Sequence, residues 1–212
     1  DGGFTFTEGV LVKGDVLTAV VEGSATNVGD EGKNVVKSYK VMRGDVDVTG
    51  NYTFGNSIDG KLTINKRTVT LKSETASKEY DGTPLTKPDV TVTGDGFVTG
   101  EVTDVTATGS VTFVHEGEVT NAITYTKGAN FKETNYTISK DEGKLSITKR
   151  EGEGKTITVT ANNDEKVYNG APLTNNGFTH AGALVEGDVL TAVVEGSQTD
   201  VGSSDNVVTS YV

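Results

Sequence analysis

Residues 9–29 read GVLVKGDVLTAVVEGSATNVG, and residues 182–202 read GALVEGDVLTAVVEGSQTDVG. The offset is 173, and after a one-residue gap the match runs on, Asn34-Val35-Val36-Lys37-Ser38-Tyr39 against Asn206-Val207-Val208-Thr209-Ser210-Tyr211. A fixed long period confines a chain to repeated modules, each one supersecondary unit stacked on its neighbours. A weaker repeat lies inside the first. Residues 67–86 (RTVTLKSETASKEYDGTPLT) match 155–174 (KTITVTANNDEKVYNGAPLT) at an offset of 88. Residues 60–67 (GKLTINKR) match 143–150 (GKLSITKR) at an offset of 83. Asn51-Tyr52-Thr53 and Asn135-Tyr136-Thr137 precede these. One module therefore opens on a K/R-T-V/I-T strand, passes a Y-D/N-G-x-P-L-T turn and closes with N-Y-T, G-K-L and I-x-K-R.

The module boundaries follow. Residues 1–66 are the C-terminal portion of a module, without its opening strands. Residues 67–150 are a complete module. Residues 151–212 are the N-terminal portion of another, without closing strands. The two end portions are complementary, which leaves two arrangements open. The chain is a window of a longer tandem array, or the ends complete one another between molecules by strand donation, head to tail. Either way, exposed edges are an aggregation hazard. Asp1-Gly2-Gly3-Phe4 does not read as a signal peptide, so any targeting segment is expected outside these residues.

Thr (33 residues) and Val (30) far outnumber Leu (9), and both are β-branched residues that suit a half-buried pleated surface. Period-two alternation recurs at Thr68-Val69-Thr70-Leu71, Val90-Thr91-Val92, Val111-Thr112-Phe113, Ile123-Thr124-Tyr125, Tyr136-Thr137-Ile138 and Leu145-Ser146-Ile147. Gly-Asp and Glu-Gly turns separate these runs. The expected fold is all-β: tandem Ig-like antiparallel β-sandwich repeats forming an elongated rod. The alternative is β-grasp-like repeats, with residues 13–23 or 99–107 supplying a helix. At Lys66-Arg67 one module's last strand is expected to run straight into the next module's first.

The Glu79-Tyr80-Asp81-Gly82-Thr83 motif, the G-x-V-T-G-E segment, N-Y-T and the terminal I-x-K-R together resemble the YDG/MBG class of tandem repeats of large bacterial surface adhesins and exoproteins. Tyr168-Asn169-Gly170 departs from Tyr-Asp-Gly by one amide. The resemblance implies a secreted or surface-displayed structural array, extracellular, acting as stalk, spacer or adhesive surface. It transfers no catalytic residues.

The remaining chemistry is sparse. The chain lacks Cys, which removes disulfide, thiolate and iron–sulfur chemistry. The longest apolar runs are too short to span a membrane. A net charge of -11 argues against nucleic acid, which needs a basic face. No nucleophile elbow, phosphate loop or dinucleotide fingerprint is present, so no enzyme and no cofactor are expected. His115 and His180 stand apart; His115 reads as a solvated loop residue. Arg43-Gly44-Asp45 is an integrin-type tripeptide, which an ordinary Gly-Asp turn also explains. Asp45 to Asn51 has the spacing of a partial calcium loop, with Asn56 where a bidentate Glu belongs; a strand and turn account for it too. Glu151-Gly152-Glu153 offers a second acidic junction for calcium. Tyr80-Asp81-Gly82 and Tyr168-Asn169-Gly170 read as structural turns. In these the Tyr ring packs on the sheet and its hydroxyl bonds a backbone group, and Gly82 and Gly170 supply positive φ. Asn51 and Asn135 lie in N-x-T sequons. A Lys–Asn/Asp isopeptide crosslink is the remaining candidate for reinforcement. Expected partners are neighbouring repeats or other copies of the chain; the alternative is a ligand-binding adhesive module for a host protein or glycan.

Overall fold

The computed structural model describes residues 3–6 and 9–212. The chain is all-β. In the first repeat lie β1 (Val16–Glu22), β2 (Gly32–Arg43), β3 (Val46–Asp47) and β4 (Gly60–Leu62). The complete repeat holds β5 (Arg67–Ser73), β6 (Ala76–Glu79), β7 (Leu85–Thr86), β8 (Val90–Gly94), β9 (Val102–Ala107), β10 (Ser110–Val111), β11 (Val119–Thr120), β12 (Ile123–Lys127), β13 (Tyr136–Asp141) and β14 (Lys144–Thr148). The last repeat holds β15 (Thr158–Ala161), β16 (Phe178–Ala181), β17 (Ala192–Glu195) and β18 (Val207–Tyr211). Helical geometry among the described residues is limited to three short 3-10 turns, Thr49–Asn51, Val114–Glu116 and Glu133–Asn135. The residues that a grasp-like helix would need are β1 and β9 instead; their Val and Thr content opposes helix. No helix is long and apolar enough to cross a membrane among the described residues.

Two compact units emerge. One comprises Asp1–Thr70, Val92–Thr103 and Thr126–Ser139; the other comprises Leu71–Thr91, Asp104–Tyr125 and Lys140–Val212. In the first unit β1 and β2 form a long antiparallel hairpin from Val16↔Met42 to Glu22↔Val35, with a bulge at Val20/Val21. β3 folds back on β2, and β4 pairs the start of β2 over Gly32↔Leu62, Lys33↔Lys61 and Asn34↔Gly60. Phe97, Phe131 and Tyr136 cluster in this unit: Phe131 stacks on Tyr136 with centroids 5.2 Å apart, and Phe97 meets Phe131 edge-on.

In the second unit β14 is the central strand of a three-stranded sheet, between β11 and β6. β11 runs antiparallel to it, with Val119↔Leu145 and Thr120↔Lys144. β6 runs parallel, from Leu145↔Ala76 to Thr148↔Glu79. This departs from the expected antiparallel plan. Residue alternation marks strands but not their direction, and a parallel pair needs a long crossover, supplied here by the whole intervening repeat. Alternation does locate the core: Leu145, Ile147 and Val111 are buried, with Ala76, Tyr80, Leu85, Val114 and Val119 packed on them. Val69 and Leu71, two apart on β5, are likewise buried.

Between β4 and β5 residues 63–66 are not strand, so the junction expected to be seamless carries four connecting residues. The Val111-Thr112-Phe113 run is also shorter as a strand than its pattern suggests. β10 ends at Val111, and the chain enters the 3-10 turn after Phe113.

Candidate functional site

The Tyr-Asp-Gly turn is built locally. After β6, the Asp81 carboxylate accepts from the Thr83 backbone N–H at 2.9 Å and the Thr83 hydroxyl at 2.8 Å. Lys78 Nζ donates to the same oxygen at 2.7 Å. That Lys78 bond, then the Thr83 donors, hold the carboxyl far below the usual carboxylate range. Gly82 has φ 81°, a left-handed conformation open to glycine, and a Cβ there would stand 2.9 Å from Val185. Asn169 reproduces the turn, accepting from the Ala171 N–H and Lys166 Nζ, each at 3.1 Å, and Gly170 has φ 78°.

Tyr80 does more than pin its own turn. Its N–H donates to Thr148 O, which extends the β6–β14 pairing. Its hydroxyl donates to Asp188 Oδ1 at 3.0 Å, a carboxylate of the following repeat instead of the expected backbone group. That bond pushes the phenol pKa up. Lys155 Nζ donates to Glu79 Oε1 at 2.6 Å, and the Arg150 guanidinium to Ala183 O at 2.5 Å. These contacts surround a cleft of about 470 Å³ at the joint between the complete and last repeats. Arg67, the counterpart of Arg150, donates to the Asp95 and Gly96 carbonyls of the turn that follows it. Arg67 opens the complete repeat and grips a turn within it, whereas Arg150 closes that repeat and grips a turn of the next.

A second recurring device joins two motifs of the module through a bond that their spacing does not show. The N-Y-T tyrosine reaches back to a carboxylate after Gly. The Tyr136 hydroxyl donates to Glu101 Oε2 at 2.6 Å and accepts from the Val98 N–H at 3.0 Å. The Tyr52 hydroxyl donates to Asp15 and accepts from the Val12 N–H. Burial first, then Glu101, raises the Tyr136 pKa; for Tyr52 the Asp15 bond is the first cause. Val12-Lys13-Gly14-Asp15 and Val98-Thr99-Gly100-Glu101 were visible repeats of Val185-Glu186-Gly187-Asp188; what they bond to was not.

The buried Asn121 is the third. It is 0% exposed. Its Nδ2 donates to Lys87 O at 2.8 Å and Glu74 O at 3.2 Å, and its Oδ1 accepts from the Gly109 N–H at 3.1 Å. Asn206 repeats this, donating to Asn162 O at 2.9 Å and Asn175 O at 2.8 Å. Its Oδ1, however, is buried without a hydrogen-bond partner among the described residues.

An open groove of about 900 Å³ lies among residues 159–208. The segments matching β6 (164–167) and β11 (204–205) flank it, and neither is strand. Val167 and Tyr168 are 90% and 60% exposed.

The other singled-out residues are placed as follows. Arg43, Gly44 and Asp45 form the β2–β3 turn, and Arg43 Nε donates to Asp15 Oδ1 at 2.5 Å, so that guanidinium is engaged inside the chain. Its bond, then that of Tyr52, lowers the Asp15 pKa. The Asp45–Asn51 run is a turn, β3 and a 3-10 turn, where Asp47 Oδ1 accepts from the Thr49 N–H at 2.9 Å. Among the described residues no three His, Asp or Glu side chains gather as metal ligands. His115 and His180 are exposed, and His115 stacks on Phe113 at 5.5 Å. Asn135 accepts from the Val28 N–H at 2.9 Å and donates to Asn27 Oδ1 at 3.0 Å, so this sequon side chain is a structural link; Asn51 is exposed. Lys72 and Asp141 meet at 2.7 Å with both side chains exposed, an ion pair without the buried acid that an isopeptide reaction uses. No family model, curated protein or solved structure matches the chain.

Proposed function

We propose that this chain is a non-catalytic structural segment of an extracellular bacterial fibre or adhesin stalk, displayed on the cell surface or secreted. Its partners are neighbouring repeats. The observation that carries this is the repeated joint. At each junction the Arg after I-x-K grips a turn of the downstream module, Arg67 one within 67–150 and Arg150 one within 151–212, while Tyr80 and Lys155 bond across the second junction. A chain that repeats its linkage along with its modules is organised for serial extension. The resemblance to YDG/MBG repeats points the same way. So does the net charge of -11, which keeps copies soluble and mutually repelling. Of the two module plans, the parallel β6–β14 pair favours a grasp-like sheet without its helix over an Ig-like antiparallel sandwich, and short junctions make a stiff rod the expected form. The test is labelling of cells of the source bacterium with antibody against this chain. Intact cells should label, or the antigen should be recovered from the medium. Labelling confined to permeabilised cells overturns the proposal.

A further inference from the structure

The complete repeat begins on β5 and ends on β14, so tension along the chain enters its fold at these two strands. β5 passes into β6 across Glu74 and Thr75 alone, and the two take different neighbours: β5 lies between β13 and β8, and β6 lies on one edge of β14. β6 and β14 run parallel over Ala76↔Leu145, Ser77↔Ser146, Lys78↔Ile147 and Glu79↔Thr148. Direction decides how such a pair meets a pull. The upstream chain draws β6 from its first residue, Ala76, and the downstream chain draws β14 from its last, Thr148. In parallel strands these are opposite ends of the ladder. The strands must then slide past one another along their length. Because the bonds of a parallel ladder are evenly spaced, sliding strains all of them together. A pull on the same end of both strands would break them one after another.

Both ends of this ladder are secured. At the entry end the Lys144 N–H donates to Thr75 Oγ1 at 3.1 Å and the Gly143 N–H to Ser73 Oγ at 3.0 Å. The Ser73 hydroxyl donates to Asn121 O at 2.7 Å, and Asn121 Nδ2 donates to Glu74 O at 3.2 Å. Ser73 and Asn121 are buried, so the bend between β5 and β6 is latched away from water. At the exit end the Tyr80 N–H donates to Thr148 O at 3.0 Å, and the Thr148 hydroxyl to Lys78 O at 3.4 Å. Between the two ends Leu145 and Ile147 are buried, with Ala76 and Tyr80 packed on them. Sliding must drag these side chains out of contact before water can replace the backbone bonds. On its other edge β14 is held by β11, so load on β6 passes into the sheet.

We propose that the β6–β14 pair is a shear clamp, the element by which the complete repeat carries tension along the chain. The inference rests on the stalk reading and deepens it by naming the part that bears the load. Resistance to a pull is distinct from equilibrium stability, because forced unfolding is governed by the unfolding rate. Here the barrier includes near-simultaneous loss of the ladder and of its apolar cover.

The chain has no Cys, so pairs of engineered cysteines choose where force is applied to the full-length chain. Handles at Lys66→Cys and Glu151→Cys pull β6 and β14 from opposite ends. Handles at Pro84→Cys and Glu151→Cys pull both from the same end. All three positions are exposed. At one pulling speed, the first geometry should rupture at a force severalfold that of the second. Its step should approach about 300 Å, the extended reach of the residues between the handles. Matching urea midpoints show that the difference arises from the direction of the pull; Asn65→Cys, Thr86→Cys and Glu153→Cys, also exposed, replace any handle that shifts the midpoint. Equal rupture forces in the two geometries overturn the proposal, as does a complete repeat that yields without a distinct rupture in the first. Cell-surface labelling is independent of these forces. A labelled chain with equal forces is a stalk without this clamp, and a clamp in a chain that stays inside the cell overturns the stalk reading alone.

Discussion

At the scale of single residues, the buried amide of Asn121 does what no apolar side chain can. It joins three backbone groups from sequence distances of 47, 34 and 12 residues, so one side chain fixes how the β5–β6 connection, the segment after β7 and the segment before β10 meet. Buried polar groups cost most when a partner is removed and the others stay buried. Asn121→Ala should therefore cost about 3 kcal/mol of unfolding free energy, read from urea denaturation; a loss under about 1 kcal/mol would show that water replaces the amide. The Tyr80-Asp81-Gly82 turn was legible in the sequence because its bonds lie within a few residues. Asn121 was not legible, although Asn34, Asn121 and Asn206 recur with a Gly ten to twelve residues before each. The signal was in the repeat, but a lone Asn-Val or Asn-Ala does not announce that it is buried.

At the scale of elements, a strand in this chain lasts only where it has a neighbour. Ala76-Ser77-Lys78-Glu79 is strand beside β14, whereas the matching Asp164-Glu165-Lys166-Val167 is not strand beside an open groove. Intrinsic propensity contributes little to either segment; partner and packing decide. Leu145→Ala should accordingly cost about 2–5 kcal/mol, as for other buried Leu truncations. It should also raise amide exchange at 76–79 toward that at 164–167. Exchange unchanged at 76–79 would show that β6 stands without β14. The alternation of Leu145-Ser146-Ile147 correctly marked a strand and its inner face. Nothing in that alternation distinguishes a parallel from an antiparallel neighbour, which is why the direction of β6–β14 emerges from structure alone. Gly143 shows how closely the elements meet: a Cβ there would stand 2.2 Å from Glu74 O, so this glycine is required by space, and the sequence shows only a turn.

At the scale of the whole molecule, the carboxylates act together. Asp15 is held low by Arg43 and then Tyr52, Asp81 by Lys78 and then Thr83, Asp95 by the Thr68 backbone and Glu79 by Lys155. Glu116 is held low by the Phe113 and Thr112 backbone N–H groups. Each binds protons less readily folded than unfolded. The stability each contributes is then present above the unfolded carboxylate pKa, near about 4, and is lost as pH falls through the folded value. The tyrosines set the opposite limb. Tyr52, Tyr80 and Tyr136 have raised phenol pKa values, so what they contribute is complete below the unfolded value near about 10 and is lost as pH rises through the folded one. Neutralising a net charge of -11 opposes the acid loss, but that repulsion acts between exposed charges and is screened by salt, whereas the short hydrogen bonds are not. In moderate salt the urea midpoint should be flat from mildly acidic to mildly alkaline pH. It should fall below about pH 4 and again above about pH 10. Asp81→Asn should make the acid limb shallower and move the alkaline one much less, because Asp81 bonds Lys78 and Thr83 while the Tyr80 phenol is raised first by its bond to Asp188 and only last by the Asp81 charge. A midpoint that rises on acidification in moderate salt would mean that charge repulsion, not the carboxylate bonds, governs the stability of this chain.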